Sequence, residues 1–140
     1  MKALKDGPDP SGVLELRGMR ALYSIGLLVL SNSFMTIAWY GHLRFKDHPA
    51  WAKWGIFSII LMSWGIAFFE YCLQVPANRI GYSGYGGPFS LVQLKVVQEV
   101  ITLVVFVIFS TIAFKDQVFR WNHALAAVLL VAAVWLVFKK

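Results

Sequence analysis

Four long apolar stretches, at about residues 20–43, 53–75, 89–114 and 119–138, take up most of the chain, with short polar connections between them. A helix needs about 20 mostly apolar residues to cross a bilayer. All four stretches meet that length. The pattern predicts an all-α protein, an integral membrane bundle of four transmembrane helices spanning residues 19–140. Residues 1–18, "MKALKDGPDPSGVLELRG", carry two prolines and three glycines among mixed charges and read as a polar tail. The first apolar run is too long for a signal-peptide core and ends without a small-residue cleavage pattern, so it should stay as a helix. Met19 is a second candidate for the start of translation.

The polar positions inside the apolar runs are the informative ones. Span one places Ser31, Asn32 and Ser33 near its centre, with Trp39 and Tyr40 at its far end as an interfacial belt. Span two, within "SWGIAFFEYCLQVPANRIGY", holds Glu70 and should end at Pro76. Span three opens with "QLKVVQEV" and then turns apolar. Span four has no polar side chain until Lys139 and Lys140. An ionised side chain at a bilayer centre costs about 2.5 to 3.5 kcal/mol on insertion scales, so Glu70 needs a reason.

Depth supplies a candidate reason. At 1.5 Å per residue, Glu70 lies about 9 Å before Pro76 and Lys95 about 9 Å after Phe89, at ends that share one membrane surface. The two are expected to pair, each offsetting the other's loss of water. Glu99 follows Lys95 by four residues on the same helical face, with Gln98 beside it, and Asn32, Ser63 and Trp64 reach a similar depth. Two acids share one lysine. The acid left over would hold a proton or exchange it for a cationic ligand. In this reading Glu99 or Glu70 takes the proton or ligand charge, Lys95 holds the other acid, and Asn32, Trp64 and Gln98 line the path. The plainer alternative is that these groups only fix helix packing.

Composition agrees with the bilayer as solvent, since 59% of the 140 residues are hydrophobic and 14% charged. A net charge of +6 would raise nucleic acid as a partner, but Lys and Arg sit in tails and connections with no base-stacking stripe. Nucleic acid is set aside. Cys72 is the sole cysteine, and His42, Asp47 and His48 are irregularly spaced in a short loop, so neither a disulfide nor a metal site is expected. No nucleophile stands beside a base and no phosphate loop occurs, so neither an enzyme nor a cofactor is expected. Seven Lys and Arg lie on the side of the termini against five on the other, which biases the termini weakly toward the cytoplasm of an inner-membrane protein. A start at Met19 would make the count four against five, which favours no orientation. Four helices are few to enclose a pathway, so a homodimer is expected, with span four as a contact.

The segments "LSNSFMTIAWYGHLRF", "SWGIAFFEYCLQVPANRIGY" and "QLKVVQEVITLVVF" resemble a family of small four-helix membrane proteins in the drug/metabolite transporter superfamily. The resemblance runs from Met19 onward and implies a transporter-like protein, without naming a substrate. The chain is also distantly similar to the small multidrug resistance proteins, which work as antiparallel homodimers exchanging protons for cations at a glutamate in the first helix. Here the first span has Asn32 and no acid, so exchange would fall to Glu70 or Glu99. The rival expectation is a non-transporting subunit or scaffold of a larger membrane complex.

Overall fold

The computed structural model describes residues 9–44, 46, 48–49, 53–114 and 120–139. Four helices follow in order: α1 (Pro10–Arg44), α2 (Ile56–Gly81), α3 (Leu91–Ala113) and α4 (Trp121–Phe138), with a short 3-10 turn at Ser83–Tyr85. Each of the four is long and apolar enough to cross a bilayer. The chain is an all-α, multi-pass membrane protein. Of the residues used in the charge count, Lys2, Lys5, Lys115 and Lys140 lie outside the described residues, as does Asp47 of the connection.

Helix α1 begins at Pro10, inside the stretch read as a tail. Proline at a first helical position loses nothing, because that N–H has no partner within the helix. Asp9 precedes it as the cap: its carboxylate accepts from the Ser11 N–H at 3.1 Å and from the Ser11 hydroxyl. These bonds, the hydroxyl's first, hold the Asp9 carboxyl below its usual value. Thirty-five residues make about 52 Å of helix against a hydrocarbon core of about 30 Å. The first turns must therefore project beyond it, and residues 13–19 are all exposed.

Helix α2 does not stop at Pro76 but runs five residues further, to Gly81. Pro76 cannot donate to the Cys72 carbonyl, a loss that membrane helices tolerate when neighbours compensate. The contact that offsets this loss, at a different carbonyl, comes one residue on. Ala77 is fully buried and its carbonyl accepts the Ser24 hydroxyl of α1 at 2.9 Å. Packing against α1 keeps the chain helical past the proline, and this moves Glu70 from about 9 Å to about 16 Å from the helix end.

Helix α1 packs most extensively on α2 and also touches α3, while α4 leans on α3. Among the described residues the buried apolar side chains are Leu28, Ala38, Ala77 and Leu94, and the buried polar ones are Ser24, Ser31, Asn32, Thr36, Glu70 and Gln74. Polar groups outnumber apolar ones inside. That inversion is what the bilayer demands: lipid is as apolar as leucine, so helices gain from packing and hydrogen bonds rather than from hiding hydrocarbon. The large apolar residues, such as Leu22, Phe57, Phe68 and Leu129, face outward.

The connection from α2 to α3 is an ordered loop. Ser83 N–H donates to Phe89 O at 2.7 Å, Phe89 N–H to Gly81 O at 2.9 Å, and Gly87 N–H to Tyr82 O at 2.9 Å. Arg20 of α1 donates to Gly86 O at 2.8 Å, tying the loop to the bundle. A capping box then starts α3: Ser90 Oγ accepts from Gln93 N–H at 3.3 Å and Gln93 Oε1 from Ser90 N–H at 3.0 Å.

Candidate functional site: a buried carboxyl between α1 and α2

Ser31 and Asn32 are neighbours in sequence, and α1 turns them toward different helices. Ser31 faces α2, where its Oγ lies 3.0 Å from Glu70 Oε1 and 2.7 Å from Gln74 Oε1. Asn32 faces α3, where its Oδ1 accepts the Thr102 hydroxyl, while its Nδ2 donates to Leu28 O at 2.8 Å. Thr102 Oγ1 also approaches Gln98 O at 2.8 Å. A polar layer thus crosses the bundle from Gln74 and Glu70 through Ser31 and Asn32 to Thr102.

Glu70 is 4% exposed and sits near the middle of α2. One of its oxygens meets Ser31 and the other, Oε2, is buried without a hydrogen-bond partner among the described residues. A carboxylate so placed has lost its water and gained one hydroxyl. The accounting around Ser31 is short as well, because a single hydroxyl proton stands between two acceptor oxygens. A proton on Glu70 completes the set, donated to Ser31 Oγ while Ser31 donates to Gln74.

The expected pairing of Glu70 with Lys95 is not what the structure has. Lys95 pairs with Glu99, one turn along α3, and both side chains are more than half exposed on the outer surface. The depth match failed because it measured Glu70 from Pro76. From the true ends, Glu70 lies about 16 Å in and Lys95 only about 6 Å. The nearer partner won, as an i,i+4 neighbour always within reach. Glu99, about 12 Å along α3, is likewise outside the polar layer. Trp64 is 68% exposed, on the outer surface of α2. Gln98 is half-buried and joins the layer through its backbone carbonyl. Of the six residues singled out from sequence, Glu70 and Asn32 are buried in the layer.

Ser31, Gln74 and Thr102 complete that layer and were not singled out as site residues. Gln74 follows Glu70 by four positions and Thr102 follows Gln98 by four, so both share a helical face with a named residue. A helix ending at Pro76 would put Gln74 at the interface, and the run to Gly81 takes it about 10 Å in. Replacing Thr102 with valine keeps the shape and removes the hydroxyl between α1 and α3. The expected loss is about 0.6 kcal/mol and at most about 1.7 kcal/mol, the range of hydrogen bonds between membrane helices. Unfolding of the purified variant in mixed micelles measures it, and an unchanged midpoint would show the contact to be idle.

A family described as "Putative member of DMT superfamily (DUF486)" has a model that matches residues 24–138. No curated protein and no solved structure matches the chain.

Proposed function

We propose, because the chain belongs to this family of the DMT superfamily, that it is a secondary transporter of a small solute and that Glu70 exchanges a proton for the solute or its charge. The observation that carries this reading is the mid-helix carboxyl, buried with one oxygen unpartnered and with no cation paired to it among the described residues. Ionisable groups inside a membrane are expensive, and those that persist mark ion and substrate pathways. A structural carboxyl would gain from a fixed cation. Glu70 has instead Ser31, whose hydroxyl accepts from the protonated carboxyl and donates to the ionised one. The chain works in this reading in the inner cell membrane as a homodimer, since α4 buries none of its residues within one copy and a second copy would complete an enclosure.

The test uses the full chain as the sole protein in sealed vesicles, with a pH-sensitive dye inside and a panel of small amines, guanidines, amino acids and sugars outside. Addition of at least one class of solute should move protons in the opposite direction and load the vesicle with that solute. A chain that moves neither protons nor any solute of the panel is a subunit or scaffold of a larger complex instead.

A further inference from the structure

Away from the buried carboxyl, at the membrane surface where α2 ends and α3 begins, the structure has a cavity of about 240 Å³. Its walls include Tyr82, Tyr85, Leu91 and Leu94, and two cations, Arg79 and Lys95, stand at it. Arg79 is two residues from the end of α2, and Leu91 is the first residue of α3, which sets the cavity at headgroup level. Arg79 lies 5.7 Å over the Tyr85 ring, a contact that orients the guanidinium and leaves its charge unanswered by any carboxylate among the described residues. Lys95 gives one of its three N–H donors to Glu99 and keeps the others.

The geometry points to a binding site for the phosphodiester headgroup of an anionic phospholipid. Three features select that chemistry. The guanidinium fork matches phosphate oxygens in a way that an ammonium does not. Two leucines and two tyrosines of the walls suit the glycerol and upper acyl region of a lipid and offer little to a hydrated free anion, while Asn78 and Gln98 supply polar groups beside them. The tyrosines belong at the interface, where an aromatic ring meets headgroups. Basic pockets between transmembrane helices hold acidic headgroups on general electrostatic grounds, with each cation near the surface contributing about fivefold in affinity. Arg79 carries most of the effect, because Glu99 shares Lys95.

This inference stands apart from transport and is tested without it. The purified full chain is titrated in detergent with phosphatidylglycerol, phosphatidylcholine or sodium phosphate, and retained lipid is counted by native mass spectrometry. Phosphatidylglycerol should be retained at a concentration at least fivefold lower than phosphatidylcholine. Arg79→Gln should remove most of that preference and Arg79→Gln with Lys95→Gln all of it, while Arg44→Gln, on the opposite membrane surface, keeps it. Glu99→Gln frees Lys95 and should strengthen the preference, a change of opposite sign that loss of fold cannot imitate. Equal retention of the two lipids, a preference that survives the double variant, or a weaker preference in Glu99→Gln would overturn the proposal. Displacement of the lipid by millimolar sodium phosphate would overturn it too, assigning the cavity to a free anion.

Discussion

Glu70→Gln in reconstituted vesicles should fold as the parent does and lose proton-coupled solute movement down to the level of empty vesicles. The expectation of normal folding comes from geometry. Glutamine has the same length, and its NH₂ turned to Ser31 donates to that hydroxyl in place of the protonated carboxyl. Its oxygen falls where Oε2 now lies without a partner, and Ser31 still donates to Gln74, so the substitution breaks no existing bond. The expectation of lost coupling comes from chemistry, since an amide neither binds nor releases a proton in the accessible range. Glu99→Gln is the matched comparison, because with Glu70 expected to pair with Lys95 the sequence points to Glu99 as the acid left over. Glu99 lies outside the polar layer and is held by Lys95, so its replacement should leave coupled movement close to that of the parent. If Glu70→Gln moves solute with an unchanged pH dependence, Glu70 is packing and nothing more. If Glu99→Gln abolishes movement while Glu70→Gln does not, the site belongs on the outer face of α3. The separation of Glu70 from Lys95 adds a further check: the changes in stability in Glu70→Gln and Lys95→Met should add, where a buried pair would have made the double variant milder than the worse single.

The helices were legible in the chain because their signal is one of length: a run of about 20 apolar residues has few other fates. The buried layer was less legible, and for a physical reason. In water, burial is read from apolar periodicity. In a bilayer the inward face of α1 carries Ser24, Leu28, Ser31, Asn32 and Thr36, a mostly polar stripe at helical spacing, and the outward faces carry the leucines. Asn32 and Glu70 stood out because each is an isolated polar group in an apolar run. Lys95 looks buried because its helix is, yet about 6 Å from the end of α3 its long side chain reaches the surface, and Glu99 one turn on follows it as its partner. The misjudged end of α2 propagated furthest. Pro76 is a stop signal in a soluble helix, and here the Ser24 bond to the Ala77 carbonyl and the burial of Ala77 carry the helix past it. One boundary five residues out of place shifted the depth of Glu70 by about 7 Å and supplied a salt bridge that the fold does not form.

Gly87→Ala should be the most damaging single methyl in the connection between α2 and α3. A Cβ built at Gly87 falls on the carbonyl carbon and oxygen of Gly81 and on the Ile80 oxygen, all of them backbone, with no flexible side-chain end to yield. Relief requires the loop to lift from the end of α2. Lifting it strains the bonds that close the loop: Gly87 N–H to Tyr82 O, Phe89 N–H to Gly81 O and Ser83 N–H to Phe89 O. Neighbouring Gly86 already sits at φ +77°, a left-handed conformation that glycine supplies without cost, and its carbonyl is the acceptor for Arg20. The loop therefore has little freedom to re-form nearby. Overpacking of this kind costs about 1 to 3 kcal/mol, and each buried donor or acceptor left unpaired adds about as much again, so a loss of about 3 kcal/mol is expected. Gly65→Ala makes the contrast, since its Cβ meets nothing within 4 Å and alanine is the better helix former in mid-α2. Thermal unfolding in detergent should place Gly87→Ala well below the parent and Gly65→Ala level with it or above. Because Tyr82 and Tyr85 belong both to this loop and to the cavity beside Arg79, Gly87→Ala should also lose the preference for phosphatidylglycerol at temperatures where the bundle is still folded. Equal midpoints for the two variants would mean that the loop closes without the contact at Gly87, and the account of how α2 is joined to α3 would fall with it.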